Sequence, residues 1–476
     1  MENRFDFDKY LLFTLPVFWI VFLLILKEEA WFFVNSLFFV VILYEVLIYK
    51  NRYLYGFSGI RVLSMPSIIL LSFTVLIALP SVYVVLSNEN PVRYAYFISI
   101  TSFYFVYPVG LLTANRFFPI HGLKYNHFYI RPFQKTGIDG FIYEMLLILF
   151  SLSILIFVVY LYRTPVVPLI EMLSNPRAYM VLWIMREESM KLLEVSIIEK
   201  YLYAWLRDLF LPLGILGSLF LFDIYKKRQY IFLFLGFLLL GIVNNSLTIA
   251  KAPTAALFLS IAAFYFMKHQ QLNLRFILIF IVLIFSFPYM VYHFVSQPEF
   301  RSPENLLNSI FNRVFVVPAQ VLFEYFKIFP IKHEFLFGRS SNLLSWIHSD
   351  GIFNLANYVA KIWWHMPNTT GNANAIYIGY FWADFGWIGI ILSSYLIGIT
   401  LHLFYRKLLL VSNFNKNSVY VIITSGSVMT FSFTFVSTNI TSLLLTRGLL
   451  LILLILFIIE WVNKNKKYKR IRENVI

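Results

Sequence analysis

The sequence predicts an all-α polytopic integral membrane protein, and three observations support this fold class. Hydrophobic residues make up 60% of the 476 residues and charged residues only 13%, whereas soluble domains are usually about 45–50% apolar. The mean hydropathy of the chain is +0.74. Apolar runs long enough to cross a ~30 Å hydrocarbon layer as helices recur from one end to the other, without the polar–apolar alternation of barrel strands.

About twelve of these apolar runs are predicted to be transmembrane helices. In chain order they cover 12–26, 30–49, 64–86, 94–113, 138–162, 203–222, 229–249, 252–267, 274–295, 376–404, 418–437 and 443–461. Together they form a single membrane domain over 1–476, in which 163–203 and 296–373 are long extracytoplasmic loops. We find no internal repeat, which weakens the alternative of a transporter built from two halves.

The distribution of lysine and arginine predicts that both termini are cytoplasmic. With this orientation most of the 39 Lys and Arg residues fall in cytoplasmic segments, as the positive-inside rule requires. Most of the remainder lie in the two long loops, where topology does not require them. The net charge of +15 is therefore explained by membrane anchoring, and no nucleic-acid partner is expected.

The first long loop carries two candidate substrate-binding arginines, Arg177 and Arg186. Asn175-Pro176 indicates a turn, after which a highly charged helix is expected. For most of its charges we prefer the interpretation of an exposed helix with intrahelical ion pairs. The two arginines would point to opposite sides of an ideal helix, so both can contact one ligand only if the helix is interrupted.

The second long loop contains the candidate substrate contact Arg301, followed by an amphipathic helix over 305–329 that is interrupted near Pro318. Its apolar stripe carries Phe311, Val314, Phe315, Pro318, Val321, Leu322, Tyr325 and Phe326. We expect this helix to lie on the membrane surface, where simple anchoring is the alternative role. On its polar side, Arg313 can bind a lipid-linked phosphate bidentately.

Arg339 and three histidines follow in the same loop. Arg339 comes after a glycine and before two serines, a setting that suits a phosphate or sugar contact. His333, His348 and His365 lack the regular ligand spacing of a metal site, and the chain has no cysteine, so neither a metal nor another cofactor is expected. One of these histidines is a candidate general base, and His333 is a candidate substrate contact; for each, a structural role is the alternative.

The loop ends in Asn372-Ala-Asn374, directly before a helix that carries Tyr377 and Asp384. The two asparagines and Tyr377 are candidate substrate contacts, and the free N–H groups of the helix start suit an anion. Tyr377 and Asp384 share a helical face. Because an acid this deep in a membrane helix is costly unless it is paired or faces a cavity, Asp384 is expected to be either an arginine's structural partner or a catalytic carboxylate.

Two strings in this region carry a resemblance to a known family. They are Asn312-Arg313-Val-Phe-Val-Val-Pro318 and, after Asn372-Ala-Asn374, Trp382-Ala-Asp384-Phe-Gly386-Trp-Ile-Gly389. Together with the number of spans and the arginine-bearing outer loops, they resemble Wzy-type polymerases. These are the oligosaccharide repeat-unit polymerases of bacterial O-antigen and capsule synthesis. The match is best over 305–400 and rests on topology elsewhere.

The resemblance implies a metal-independent membrane glycosyltransferase of GT-C-like architecture in the bacterial cytoplasmic membrane. Such enzymes transfer a growing glycan from undecaprenyl pyrophosphate to a hydroxyl of a new lipid-linked repeat unit on the outer face. The implied partners are this lipid-linked oligosaccharide, membrane lipid, a chain-length regulator and a flippase. Arg313 and Arg339 would stabilise the pyrophosphate leaving group, and Asp384 or a loop histidine would activate the acceptor hydroxyl.

Two alternatives remain beside this function. An O-antigen ligase shares the architecture and the arginine chemistry but transfers finished glycan to lipid A core. A lipid-linked oligosaccharide flippase would also have about twelve spans, but it would tend to place its charges within the helix bundle.

Overall fold

In a computed structural model of the protein, every regular element among the described residues is helical and none is a strand. The structure describes residues 28–51, 55–57, 63–120, 139–164, 167–174, 185, 196–249, 251–269, 274–295, 302–341, 344–369, 371–414, 418–428, 430–431 and 435–475. Within them, nine helices are long and apolar enough to cross a membrane. The predicted fold class is therefore confirmed as far as a polytopic α-helical membrane protein.

The helices vary in length from five to 38 residues. In chain order they are α1 (Glu28–Ile48), α2 (Met65–Leu86), α3 (Val92–Phe117), α4 (Asp139–Arg163), α5 (Pro168–Ser174), α6 (Ile198–Tyr225), α7 (Arg228–Ser246), α8 (Lys251–His269), α9 (Leu274–Val295), α10 (Pro303–Ile328), α11 (Leu355–Trp363), α12 (Tyr377–Phe414), α13 (Ser418–Gly426), α14 (Ile440–Leu444) and α15 (Leu449–Val475). The apolar parts of two further helices, α8 and α9, are shorter than the nine candidate spans.

The structure does not confirm the predicted count of twelve spans. The span predicted over 12–26 lies outside the described residues. Among the described residues of 418–437, the regular elements are the nine-residue α13 and a 3₁₀ turn over Phe435–Ser437, so no continuous span is seen there. Conversely, α10, predicted to lie on the membrane surface, is long and apolar enough to be a candidate span. The positions of 163–203 and 296–373 as outer loops stay predictions.

The chain divides into two compact units, which are described separately. The first comprises Met1–Ile120, Phe311–Tyr405 and Phe431–Thr441. The second comprises His121–Ile310, Arg406–Thr430 and Ser442–Ile476.

In the first unit, α3 and α12 approach each other closely at two glycines. A β-carbon at Gly110 would lie 2.3 Å from the carbonyl oxygen of Tyr395, and one at Gly398 would lie 2.4 Å from that of Tyr107. No side chain fits in such a contact. Small residues at the crossing therefore allow the two backbones to touch, as is common between membrane helices.

The second half of α10 belongs to the core of the first unit. A π-helical turn over Asn312–Val316 precedes Pro318, so the predicted interruption is present. From Ala319 onward the apolar side chains are buried, and this half of α10 packs against α2 and α3. The hydroxyl of Tyr96 donates to the carbonyl of Ala319 at 2.9 Å. The prediction of a lipid-facing anchor is therefore wrong for this half, because protein covers its apolar face.

A buried hydrogen-bonded pair also stabilises the first unit. Nε2 of His402 donates to the carbonyl of Phe118 at 2.9 Å, which leaves Nδ1 of the neutral ring to accept from the hydroxyl of Tyr55 at 2.5 Å. Burial raises the pKa of Tyr55 far above its ordinary value, so this hydroxyl stays a donor. Segments distant in sequence are thereby joined through one histidine.

In the second unit, α6 is the central helix and packs against α4, α7 and α13. Its first turn is stabilised by a capping box, in which Ser196 and Glu199 bond reciprocally to each other's backbone amides. Further along, a π-helical turn over Leu206–Phe210 precedes Pro212. π-Helical turns are frequent at functional sites, and this one carries two charged residues, Arg207 and Asp208.

Candidate functional site

A break in α12 at Gly386 organises the candidate site in the first unit. Gly386 has φ 59° and ψ −138°, a left-handed conformation that favours glycine. Such a break deprives the preceding carbonyls of intrahelical donors. The N–H of Leu336 donates to the carbonyl of Ala383 and that of Phe337 to the carbonyl of Asp384, each at 2.9 Å. The loop before α11 is therefore tied to α12 through its backbone.

The carboxylate of Asp384 holds the next part of this loop. Asp384 is only 3% exposed, and it accepts hydrogen bonds from the amide and the hydroxyl of Ser340. These bonds offset the cost of burying a charged group. The predicted arginine partner of Asp384 is not found among the described residues, because Ser340 takes its place. We call residues 336–341 the Arg339 turn.

The backbone of the Arg339 turn is tightly constrained. Phe337 and Gly338 have φ 51° and φ 95°, so both are left-handed. A β-carbon at Gly338 would lie 2.9 Å from the β-carbon of Leu344. The carbonyl of Arg339 accepts from the amide of Phe353 at 2.8 Å. Hydrogen bonds on both sides therefore fix the direction in which Arg339 leaves the backbone.

The guanidinium of Arg339 is partly exposed and only partly satisfied. Its Nη2 lies 3.5 Å from Oδ2 of Asp350, and the two side chains are 27% and 67% exposed. Its Cζ lies 5.8 Å from the ring centroid of Phe353. Its Nε is buried and has no hydrogen-bond partner among the described residues. A guanidinium has five N–H donors in a fixed fork, so Arg339 retains capacity for an anion.

Beside Arg339 lies an aromatic cluster of His333, Phe353 and Tyr358, all partly exposed. The three ring centroids lie 5.2 to 5.3 Å from one another. Nδ1 of His333 lies 2.7 Å from the carbonyl oxygen of Glu334. Because a carbonyl only accepts, Nδ1 carries the proton, and Nε2 of the neutral ring is an acceptor without a partner among the described residues.

Two asparagine amides are displayed just before α12. Asn372 and Asn374 are exposed, whereas Ala373 and Ala375 between and after them are buried. The carbonyl of Ala373 accepts from the buried hydroxyl of Tyr325 at 2.8 Å, which holds the segment against α10. Both predicted asparagine contacts are therefore accessible to a ligand.

Tyr377 and Arg313 do not join this arrangement. Tyr377 is 1% exposed and its hydroxyl is hydrogen-bonded to Ser394 at 2.8 Å, so its predicted contact with substrate does not fit the structure. Among the described residues, it shares no hydrogen-bond partner with Asp384. Arg313 is exposed on the π turn of α10 and forms no hydrogen bond or ion pair with any described residue. Arg177, Arg186 and Arg301 lie outside the described residues.

A second charged cluster, which the sequence analysis missed, lies in the second unit. Arg207 binds Asp208 bidentately, with N···O distances of 2.8 and 3.0 Å, and Nη1 of Arg447 lies 2.5 Å from Oδ2 of the same carboxylate. The Asp208 side chain is 2% exposed. We call these three residues the Asp208 cluster; it carries one net positive charge. The signal in the sequence is an Arg-Asp pair inside an apolar run, since ionisable residues at such places are usually paired.

A small cavity lies beside the Asp208 cluster. Its walls are Arg207, Asp208, Pro212, Asn245, Pro253, Ala256 and Leu257. The amide of Asn245 donates to the carbonyl of Pro253 at 3.2 Å, which links α7 to the start of α8. The indole N–H of Trp205 donates to the carbonyl of Leu445 at 2.8 Å. Together with the contact between Arg447 and Asp208, this bond connects the chain before α15 to α6 at two places. The cluster thus joins helices that are distant in sequence.

Of the predicted site residues, the structure brings together Arg339, His333 and, through Ser340, Asp384. Phe353 is the common neighbour of the first two. Comparison of the chain with protein-family models, with curated proteins and with solved structures finds no match. Function is therefore inferred from the geometry of these residues.

Proposed function

We propose that this chain is a membrane glycosyltransferase that polymerises undecaprenyl-pyrophosphate-linked oligosaccharide repeat units. In this proposal it acts on the outer face of the bacterial cytoplasmic membrane, with both termini cytoplasmic. The glycan is transferred en bloc and pyrophosphate is the leaving group. The observation that carries the proposal is the Arg339 turn, which presents a partly exposed guanidinium on a loop fixed to a membrane helix.

Arg339 suits the leaving group of this reaction. Negative charge develops on the pyrophosphate as the glycosidic bond breaks, and a preorganised cation stabilises that charge. A guanidinium binds phosphate oxygens in pairs, and most of the donors of Arg339 are not used by Asp350. Because the turn is fixed by Asp384 and Ser340, the cation needs little reorganisation when charge appears.

The aromatic cluster and the two asparagines suit a glycan. Tyr358 and Phe353 offer apolar ring faces on which a sugar ring can pack, and Arg339 lies on the same Phe353 ring. The amides of Asn372 and Asn374 each provide donors and acceptors for sugar hydroxyls. These groups would bind the sugar while the arginine binds the phosphate.

The general base in this proposal is His333. When its ring is neutral, Nε2 is an acceptor that has no partner among the described residues. The alternative base, Asp384, is less well suited, because it is buried and both of its oxygens accept from Ser340. Asp384 is then a positioning residue. It acts on Arg339 through the turn and does not touch the substrate.

The direct test is polymerisation in vitro. The purified full-length protein would be incubated with a synthetic lipid-linked repeat unit in excess EDTA, and products would be separated by length. The proposal expects a ladder of products that differ by one repeat unit and whose formation does not require added metal. Absence of any ladder from protein that is folded and monodisperse would refute the polymerase function. A ladder that appears only with Mg²⁺ or Mn²⁺ would refute the metal-independent mechanism.

A further inference from the structure

We propose that Asp350 is a counter-anion that a phosphate-bearing substrate displaces from Arg339, so that Asp350 determines which anions this cation accepts. The inference rests on the proposed function for the identity of the substrate. The contact itself is an observation: Oδ2 of Asp350 lies 3.5 Å from Nη2 of Arg339.

The geometry of this ion pair is that of a replaceable contact. The closest contact between the two groups, from Nη2 of Arg339 to Oδ2 of Asp350, is 3.5 Å, which is longer than a normal hydrogen bond. The Asp350 side chain is 67% exposed, so it loses little when it returns to water. Exposed ion pairs of this kind stabilise a protein weakly. A ligand that binds the fork bidentately therefore competes well with Asp350.

The loop around Asp350 allows the carboxylate to move away while Arg339 stays in place. Asp350 is followed by Gly351, which has φ 70° and open space around its β position. Among the described residues, the other oxygen of Asp350 accepts from its neighbour Ser349, at 3.0 Å. Arg339, by contrast, has its carbonyl bonded to Phe353 and its neighbour Ser340 bonded to Asp384. The anion can therefore leave a cation that remains positioned.

The charge of Asp350 also explains a selection among ligands. A weakly charged or monodentate anion gains little net binding free energy at Arg339. It must displace Asp350, and the nearby carboxylate repels it. A pyrophosphate group carries more charge and several oxygens, so its gain is larger.

The experiment measures binding by the purified full-length protein in detergent, without any turnover. Two probes separate the possible sources of the phosphate: inorganic pyrophosphate in solution, and farnesyl pyrophosphate inserted in the micelle. Calorimetry gives the Kd of each for the native protein and for Asp350→Asn, Glu334→Gln and Arg339→Lys. Glu334→Gln is the matched control, because it removes the same charge from an exposed acid of the same loop.

We expect Asp350→Asn to bind at least one probe about fivefold more tightly than the native protein, since the pair it removes is a partly exposed one. Glu334→Gln should change the Kd less than twofold, and Arg339→Lys should weaken binding about tenfold or more. Equal Kd values for Asp350→Asn and Glu334→Gln would overturn the inference. So would the absence of measurable binding of both probes to Asp350→Asn.

The result is distinguishable from a failure of the proposed function. Tighter binding by Asp350→Asn without any product ladder from the native protein would leave the displacement standing and refute the polymerase. A product ladder with no change of Kd in Asp350→Asn would support the polymerase and refute the displacement. Melting temperatures of all four proteins, measured on the same preparations, show that the compared variants are folded.

Discussion

The carboxylate of Asp384 accepts two hydrogen bonds from Ser340, one from its amide at 3.2 Å and one from its hydroxyl at 2.5 Å. Ser340 is the chain neighbour of Arg339. A buried acid on α12 thus determines where a partly exposed cation lies, although the acid and the cation do not touch. This relationship separates positioning from chemistry and makes each role testable on its own.

The first prediction concerns the cation. Arg339→Ala should lower polymer formation about 100-fold or more, because the charge that develops on the leaving group then lacks a preorganised partner. Arg339→Lys should restore little, since an ammonium cannot form the bidentate fork. The measurement is the length distribution of glycan at equal protein levels. Normal ladders from Arg339→Ala would exclude this residue from the site.

Arg313 is tested in the same way. Arg313→Ala should also abolish long chains, because the exposed Arg313 contacts phosphate in the proposed function. Normal ladders from this variant would exclude Arg313 from the site.

The second prediction separates His333 from Asp384. His333→Gln should keep the melting temperature and lower kcat about 100-fold with little change of KM, because a glutamine amide cannot take a proton. Asp384→Asn and Ser340→Ala should instead lower the melting temperature and weaken binding of inorganic pyrophosphate, because the Arg339 turn loses its partner. A stable Asp384→Asn variant that binds pyrophosphate normally and has lost only kcat would return the role of base to Asp384.

The third prediction compares two glycines of one loop. Gly338→Ala and Gly351→Ala both place alanine at positive φ, which costs roughly 1 kcal/mol in each case. At Gly338 the new methyl also meets Leu344 at 2.9 Å, whereas the space at Gly351 is open. We expect Gly338→Ala to lower the melting temperature more and to impair pyrophosphate binding. Equal effects of the two substitutions would show that packing at Gly338 does not position Arg339.

The fourth prediction concerns the Asp208 cluster of the second unit. Asp208→Asn leaves two arginines, 32% and 25% exposed, without their shared buried anion, which should cost about 2 kcal/mol. Asp223→Asn is the matched control, because Asp223 also pairs with two cations but its side chain is 19% exposed, and it should cost less than about 1 kcal/mol. Thermal unfolding in detergent compares the two. Similar melting temperatures would mean that the Asp208 cluster does not stabilise the second unit.

Local sequence was sufficient to predict the elements whose character depends on composition alone. The run 64–86 is apolar throughout, and α2 covers Met65–Leu86. The interruption of α10 was also predictable, because proline acts on its immediate neighbours. The exposure of Asn372 and Asn374 follows from their polarity and from the alanines between and after them.

Contacts between distant residues were not predictable in this way. Asp384 and Ser340 are 44 positions apart, and nothing in either neighbourhood indicates the other. The burial of α10 depends on α2 and α3, so its amphipathic pattern alone could not distinguish a protein neighbour from lipid. Tyr377 has the residue type of a sugar contact, but a hydroxyl bonded to Ser394 inside the core has no access to a ligand. Arg207 and Asp208 were overlooked because their apolar neighbours dominate any average over the run.

The break at Gly386 has a consequence for engineering the protein. The amides of Leu336 and Phe337 complete the hydrogen bonding of α12 at the break, so this loop stabilises the interrupted helix. An epitope or fluorophore-binding peptide inserted between Leu336 and Ser340 would disrupt these hydrogen bonds. We expect such insertions to prevent accumulation of the protein. The same peptide beside Gly351, where the surroundings are open, should be tolerated and would report on the loop without dismantling it.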